Sequence, residues 1–152
     1  MPLDQKYFQR LIESAPDIII AVDSNGIVEF YNEGARTSLG YSPDEMIGQN
    51  CVRIYPSIDE ARRLMKAMRE SPDGGRIASF ETEFRNKAGE LIPVMISGAL
   101  IYDDEGREVG SIGFARDIRR LRRAQQLATA GEIAVSLAHE INNLLESITN
   151  NL

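Results

Sequence analysis

The segment Ile18-Ile19-Ile20-Ala21-Val22-Asp23-Ser24-Asn25-Gly26-Ile27-Val28-Glu29-Phe30-Tyr31 sets two apolar, β-branched runs on either side of a polar turn. Asn-Gly between such runs is a strong hairpin signal, so two antiparallel strands are expected here. Upstream, Asp4 to Glu13 places Tyr7, Phe8, Leu11 and Ile12 at helical spacing, and Pro16 closes that element. Downstream, Asn32 to Glu70 is rich in helix formers and punctuated by Gly40, Ser42-Pro43, Gly48 and Pro56. That punctuation predicts several short helices and then a longer one from about Ile58. Three more strands are expected, Ser79 to Arg85, Leu91 to Tyr102 and Glu108 to Ala115. Hairpin loops at Asn86-Lys87-Ala88-Gly89 and Asp103-Asp104-Glu105-Gly106 join them. Five strands with helices inserted after the second predict an α+β fold, an antiparallel sheet with helices on one face. One long helix of coiled-coil type follows.

Composition narrows the function classes. The chain has 152 residues, 43% of them hydrophobic and 26% charged, which is ordinary for a globular protein. Its 17 basic and 23 acidic residues give a net charge of -6, which argues against nucleic acid as a partner. No apolar run approaches the roughly 20 residues of a membrane span, and the start Met1-Pro2-Leu3-Asp4-Gln5-Lys6 does not read as a signal peptide. One cysteine excludes an internal disulfide and suits a reducing compartment, so a cytoplasmic location is expected. A membrane anchor upstream of Met1 in a longer protein stays open.

Leu137-Ala138-His139-Glu140-Ile141-Asn142-Asn143 contains the single histidine. At roughly 100° per residue, Leu127, Ala130, Ala134, Leu137, Ile141, Leu144 and Ile148 form one apolar stripe. His139 falls nearly opposite that stripe, toward water. Glu140 lies beside it and Asn143 follows one turn later, so one exposed face carries a nucleophile, a carboxylate and an amide. A neutral imidazole nitrogen is nucleophilic near pH 7 and can attack a phosphoryl group. A carboxylate next to it can orient the ring and stabilise the proton left on the other nitrogen.

Ser14-Ala15-Pro16-Asp17, Asp23-Ser24-Asn25-Gly26, Tyr31-Asn32, Leu39-Gly40-Tyr41, Ile47-Gly48 and the block from Gly110 to Ile118 occur in an order and spacing that resemble the PAS domain. The likeness implies a PAS fold over residues 16–118, preceded by an N-terminal helix over 1–15 and followed by a linker and helix over 119–152. In many relatives the Asp at the end of the last strand and a basic residue four places on form a latch to the output helix. Asp117 is present here, but the matching position holds Leu121, so a latch would have to use Arg119, Arg120 or Arg122. Asp117, Ile118 and Leu121 are the expected signal exit.

Gly48-Gln49-Asn50-Cys51 looks like the flavin-binding light-oxygen-voltage subclass, in which a thiol adds to the flavin. The chain departs from that subclass at Val52, Phe84, Val94 and Ala115, where polar flavin contacts would be expected. An apolar wall cannot pair with flavin nitrogens and oxygens. The axial histidine of a haem pocket has no counterpart, because His139 lies on the output helix. No tightly bound redox cofactor is therefore expected, and Cys51 is expected to pack as a small thiol. The candidate pocket residues are Ile20, Val22, Phe30, Cys51, Ile54, Phe84, Ile96 and Phe114, facing a small apolar molecule or a carboxylate held by one polar side chain.

The segment Leu127 to Leu145 resembles the first helix of the dimerisation and phosphoacceptor domain of bacterial sensor histidine kinases. The resemblance implies that His139 is the phosphoacceptor, that Glu140 assists as base, and that Asn143 serves dephosphorylation of a partner response regulator. Many relatives have proline at the position of Leu144, so a bend there is expected to be weaker. ATP and Mg2+ would enter through an ATP-binding domain outside this chain, which stops within an apolar helical repeat and reads as a fragment. Arg116-Asp117-Ile118-Arg119-Arg120-Leu121-Arg122-Arg123 reads as a solvated helix whose seam, Ile118, Leu121 and Ala128, pairs with a second copy. That seam is poor at Gln125 and drifts before Leu127, a discontinuity that input from the domain ahead can bias. The competing class is a ligand-binding and dimerisation module in which the helix is only a spacer.

Overall fold

A computed structural model describes residues 5–150. The expected hairpin forms between β1 (Ile18–Asp23) and β2 (Val28–Tyr31). Asp23 closes it: its Oδ1 accepts the N–H of Asn25 at 2.8 Å and of Ile27 at 3.0 Å, while Gly26 takes the left-handed conformation, φ +81°. β3 (Arg76–Arg85), β4 (Leu91–Tyr102) and β5 (Glu108–Asp117) complete an antiparallel sheet in the order β2-β1-β5-β4-β3. β1 thus pairs with the last strand, Ile18 opposite Ala115 and Ile20 opposite Gly113.

Two strand boundaries differ from expectation. β3 starts three residues before Ser79, because the chain absorbs a bulge between Ile77 and Phe80 with Ser79 at φ 60°. β5 continues to Asp117, and the N–H of Ile118 then donates to the Pro93 carbonyl at 3.0 Å.

The helices before β3 begin where their caps dictate. Asn32 caps α2 (Glu33–Leu39), Ser42 and Glu45 form a capping box on α3 (Pro43–Met46), and Ser57 caps α4 (Ile58–Arg69). A 3-10 turn, Cys51–Ile54, lies between α3 and α4. Their apolar sides bury Leu39, Met46, Ile54, Leu64 and Met68 against Ile18, Phe84, Val94 and Ile96 of the sheet. Full burial of each such side chain contributes roughly 1.5–3 kcal/mol. The first helix, α1 (Gln5–Ser14), ends before Pro16; Asp4, expected at its start, lies outside the described residues.

The chain divides into two units between Ile118 and Arg119. The second is α5 (Arg119–Asn150), a single helix of 32 residues. Among the described residues no helix is long and apolar enough to cross a membrane.

Candidate functional site: an apolar cavity and an exposed histidine helix

Between the sheet and the helices lies a cavity of about 260 Å³. Strand alternation builds one wall, since Ile18, Ile20 and Val22 all point to the helix-covered face. β5 presents Ser111, Gly113 and Ala115 on the same face. These three are small, and their row leaves the space that larger residues would fill. The opposite wall comes from Cys51, Ile54 and Tyr55 and from Leu64, Met65 and Met68 of α4.

Of the expected pocket residues, the structure brings together Ile20, Val22, Cys51, Ile54, Phe84 and Ile96. Phe30 and Phe114 do not line the cavity, which corrects their placement. Phe114 lies between the inward-facing Gly113 and Ala115, so its side chain is on the other side of the sheet, 40% exposed. Phe30 is paired with Ala21, whose neighbours Ile20 and Val22 face inward, so it too sits on the outer face.

Polar groups in the cavity are few. Burial pushes the Cys51 thiol up, so it stays protonated at neutral pH. Burial likewise raises the Tyr55 phenol, whose ring meets Phe84 edge-on at 5.2 Å. Asn50 is committed to its own turn: Oδ1 accepts from the N–H of Val52 at 3.0 Å, and Nδ2 donates to the Asn25 carbonyl at 3.3 Å. Asp23, Arg62 and Arg69 stand at the rim, Arg69 paired with Glu108 at 3.2 Å.

Of the positions at which flavin contacts are expected, Phe84 and Ala115 line the cavity and are buried and apolar, Val94 is buried outside the lining, and the side-chain amide of Asn50 is engaged. No histidine is among the residues that line the cavity.

On α5, His139, Glu140 and Asn143 are all exposed. Among the described residues no hydrogen bond joins the three; they are neighbours on one helix. Leu127, Leu137, Ile141, Leu144 and Ile148 are each more than half exposed on this single chain. The apolar stripe is thus as open as the histidine face. At the expected signal exit, Ile118 is buried, Leu121 is exposed, and Asp117 closes β5.

Residues 16–120 match the family model described as PAS domain. The chain belongs to the PAS domain family. The PAS domain of a Colwellia psychrerythraea protein superposes with a TM-score of 0.67 at 24% identity, covering 76% of this chain and 97% of that one. The chain is also similar to the signal transduction histidine-protein kinase AtoS of Escherichia coli, 27% identical over 145 residues. That match covers 91% of this chain and 23% of AtoS. The sensor protein FixL of Bradyrhizobium diazoefficiens is 26% identical over 167 residues, covering 96% of this chain and 32% of FixL. The chain thus spans a quarter to a third of these relatives. Coverage of 96% exceeds what the PAS span accounts for, so the likeness to FixL runs on into α5 and takes in His139.

Among the cavity residues of this PAS domain that sequence reasoning missed are the polar Ser111 and Tyr55. For Ser111 the signal was present: Gly110-Ser111-Ile112-Gly113-Phe114-Ala115 alternates small with large, and the small set is the one that faces in. Tyr55 follows a 3-10 turn, where no simple period tells which side is buried.

Proposed function

We propose that this chain is the sensory input and phosphoacceptor portion of a two-component sensor histidine kinase. The observation that carries the reading is the setting of His139, exposed on α5 nearly opposite the stripe through Leu137 and Ile141, with Glu140 beside it. Signalling by the relatives supports it. In this reading the imidazole of His139 attacks the terminal phosphoryl group of ATP, and ADP departs. Glu140 stabilises the proton on the other ring nitrogen. The phosphoryl group then passes to an aspartate of a response regulator, and Asn143 positions the water that later removes it. ATP and Mg2+ come with an ATP-binding domain outside this chain.

The same proposal makes the protein a homodimer, because a stripe this apolar is stable in water only when paired. The PAS cavity takes the signal as a small ligand, apolar or a carboxylate, and no redox cofactor. Changes in the sheet reach α5 through Asp117, Ile118 and Leu121. To test it, the protein is mixed with the ATP-binding domain of a sensor histidine kinase and labelled ATP. Acid-labile phosphate is expected on the wild type and none on His139→Gln. Labelling that persists in the variant overturns the assignment of His139, and no labelling of the wild type favours a pure ligand-binding and dimerisation module.

A further inference from the structure

Ser111 is only 7% exposed, yet among the described residues no protein group hydrogen-bonds its hydroxyl. A hydroxyl that faces a cavity without a protein partner keeps its donor and acceptor for whatever fills that cavity. Its place in β5, alternating with Gly113 and Ala115, turns it into the cavity. Apart from the thiol of Cys51, the phenol of Tyr55 and the exposed Ser24, Asn25 and Asn50, the rest of the uncharged lining is aliphatic, aromatic or glycine. Three charged residues line the cavity, Asp23, Arg62 and Arg69, and both arginines are exposed, at the rim and not in the interior. Asp23 is at the rim, held by two main-chain N–H groups, and Arg69 is held there by Glu108.

We infer that the cavity takes an uncharged ligand of about ten non-hydrogen atoms, whose hydroxyl or carbonyl group is recognised by Ser111. The size follows from the scale on which benzene fills an engineered cavity of about 150 Å³, against about 260 Å³ here. The charge follows from the walls: a carboxylate carried inside leaves its water behind, while the cations Arg62 and Arg69 stay at the exposed rim. A hydroxyl or carbonyl instead satisfies Ser111 and leaves an apolar body for Ile20, Leu64 and Met68 to cover. The inference rests on reading this cavity as the ligand site of the sensor, and narrows it from apolar or carboxylate ligands to neutral polar ones.

Three probes with one ring, toluene, benzyl alcohol and benzoate, test it by calorimetric titration of the 152-residue chain. Benzyl alcohol is expected to bind more tightly than toluene, by about three- to tenfold, the ratio that one hydrogen bond supplies. Benzoate is expected to bind more weakly than either. In Ser111→Ala the preference for benzyl alcohol over toluene should vanish while toluene still binds, a result that loss of folding cannot produce. Benzoate binding as tightly as benzyl alcohol, an unchanged preference in Ser111→Ala, or no binding by any probe overturns the inference. Labelling of His139 in the same samples separates the two readings. Labelling without probe binding leaves the kinase reading standing, and probe binding without labelling leaves the cavity standing.

Discussion

The side-chain carbonyl of Asn32 accepts the main-chain N–H of Ile19 at 2.9 Å. The same oxygen accepts from the N–H of Ala35, while Nδ2 donates to the carbonyls of Ile12 at 3.0 Å and Asp17 at 2.9 Å. One buried amide therefore ties the end of α1, the start of β1 and the first turn of α2 together. Gly34 sits in the same corner, where an added Cβ would stand 2.2 Å from the Asp17 carbonyl oxygen.

Asn32→Ala is expected to lower stability by about 2–4 kcal/mol, since it leaves buried N–H and carbonyl groups unpaired. Gly34→Ala should cost a similar amount, because the atom it strikes is backbone and cannot turn aside. Urea denaturation checks both. A loss below about 0.5 kcal/mol, the scale of a neutral surface change, would show that the corner relaxes freely.

How far the sequence discloses this corner and the cavity depends on periodicity. The hairpin at Asp23 to Gly26 is legible because an Asx-type carboxylate and a left-handed glycine act within four residues. The true start of β3 is not, since Ser79 at φ 60° breaks the alternation from which a strand is read. Phe30 and Phe114 look like pocket residues by size, and the strand period, not size, decides which face they take. Asn32 is readable as a helix cap, yet its bonds to Ile12 and Asp17 join segments whose meeting only the fold determines. On α5 the pattern around His139 is fully local, which is why it stands out in the chain.

The proposed dimer predicts a double-weight species in sedimentation at tens of micromolar protein. Replacing Leu137 and Ile141 together by lysine puts charges into the paired stripe and should give monomers. The PAS unit should keep its cooperative unfolding in that variant, because neither residue belongs to it. A monomeric wild type would count against pairing through α5.

The Cys51 thiol, raised by burial, predicts slow alkylation of the native protein at pH 8, with the rate climbing only at pH values above the ordinary thiol range near about 8.5. In urea the midpoint should return to that range. The linked effect on stability has a definite sign. Below the unfolded thiol value both states hold the proton and the contribution is complete. Above it the unfolded chain releases the proton first, so stability falls as pH rises through the folded value. Cys51→Ala should therefore remove part of the alkaline decline. Purified wild type should also be colourless, and a visible band that bleaches under blue light in the wild type but not in Cys51→Ala would restore a flavin photosensor.

Glu140 and Asn143 should separate two steps of the proposed phosphorelay. Glu140→Gln keeps the size of the side chain but not its charge, so labelling of His139 should slow by about ten- to a hundredfold, the lower range for general acid-base assistance. Asn143→Ala should leave that labelling rate near wild type and lengthen the lifetime of phosphate on the response regulator. Both side chains are exposed, so neither variant should shift thermal unfolding by more than the roughly 0.5 kcal/mol typical of surface changes. The measurements are a time course of acid-labile phosphate on this chain and, separately, of phosphate decay on the regulator. Equal loss of both activities in either variant would mean that the two residues act as one unit. Unchanged labelling in Glu140→Gln would remove the carboxylate from the mechanism and leave orientation by the helix alone to explain the reactivity of His139.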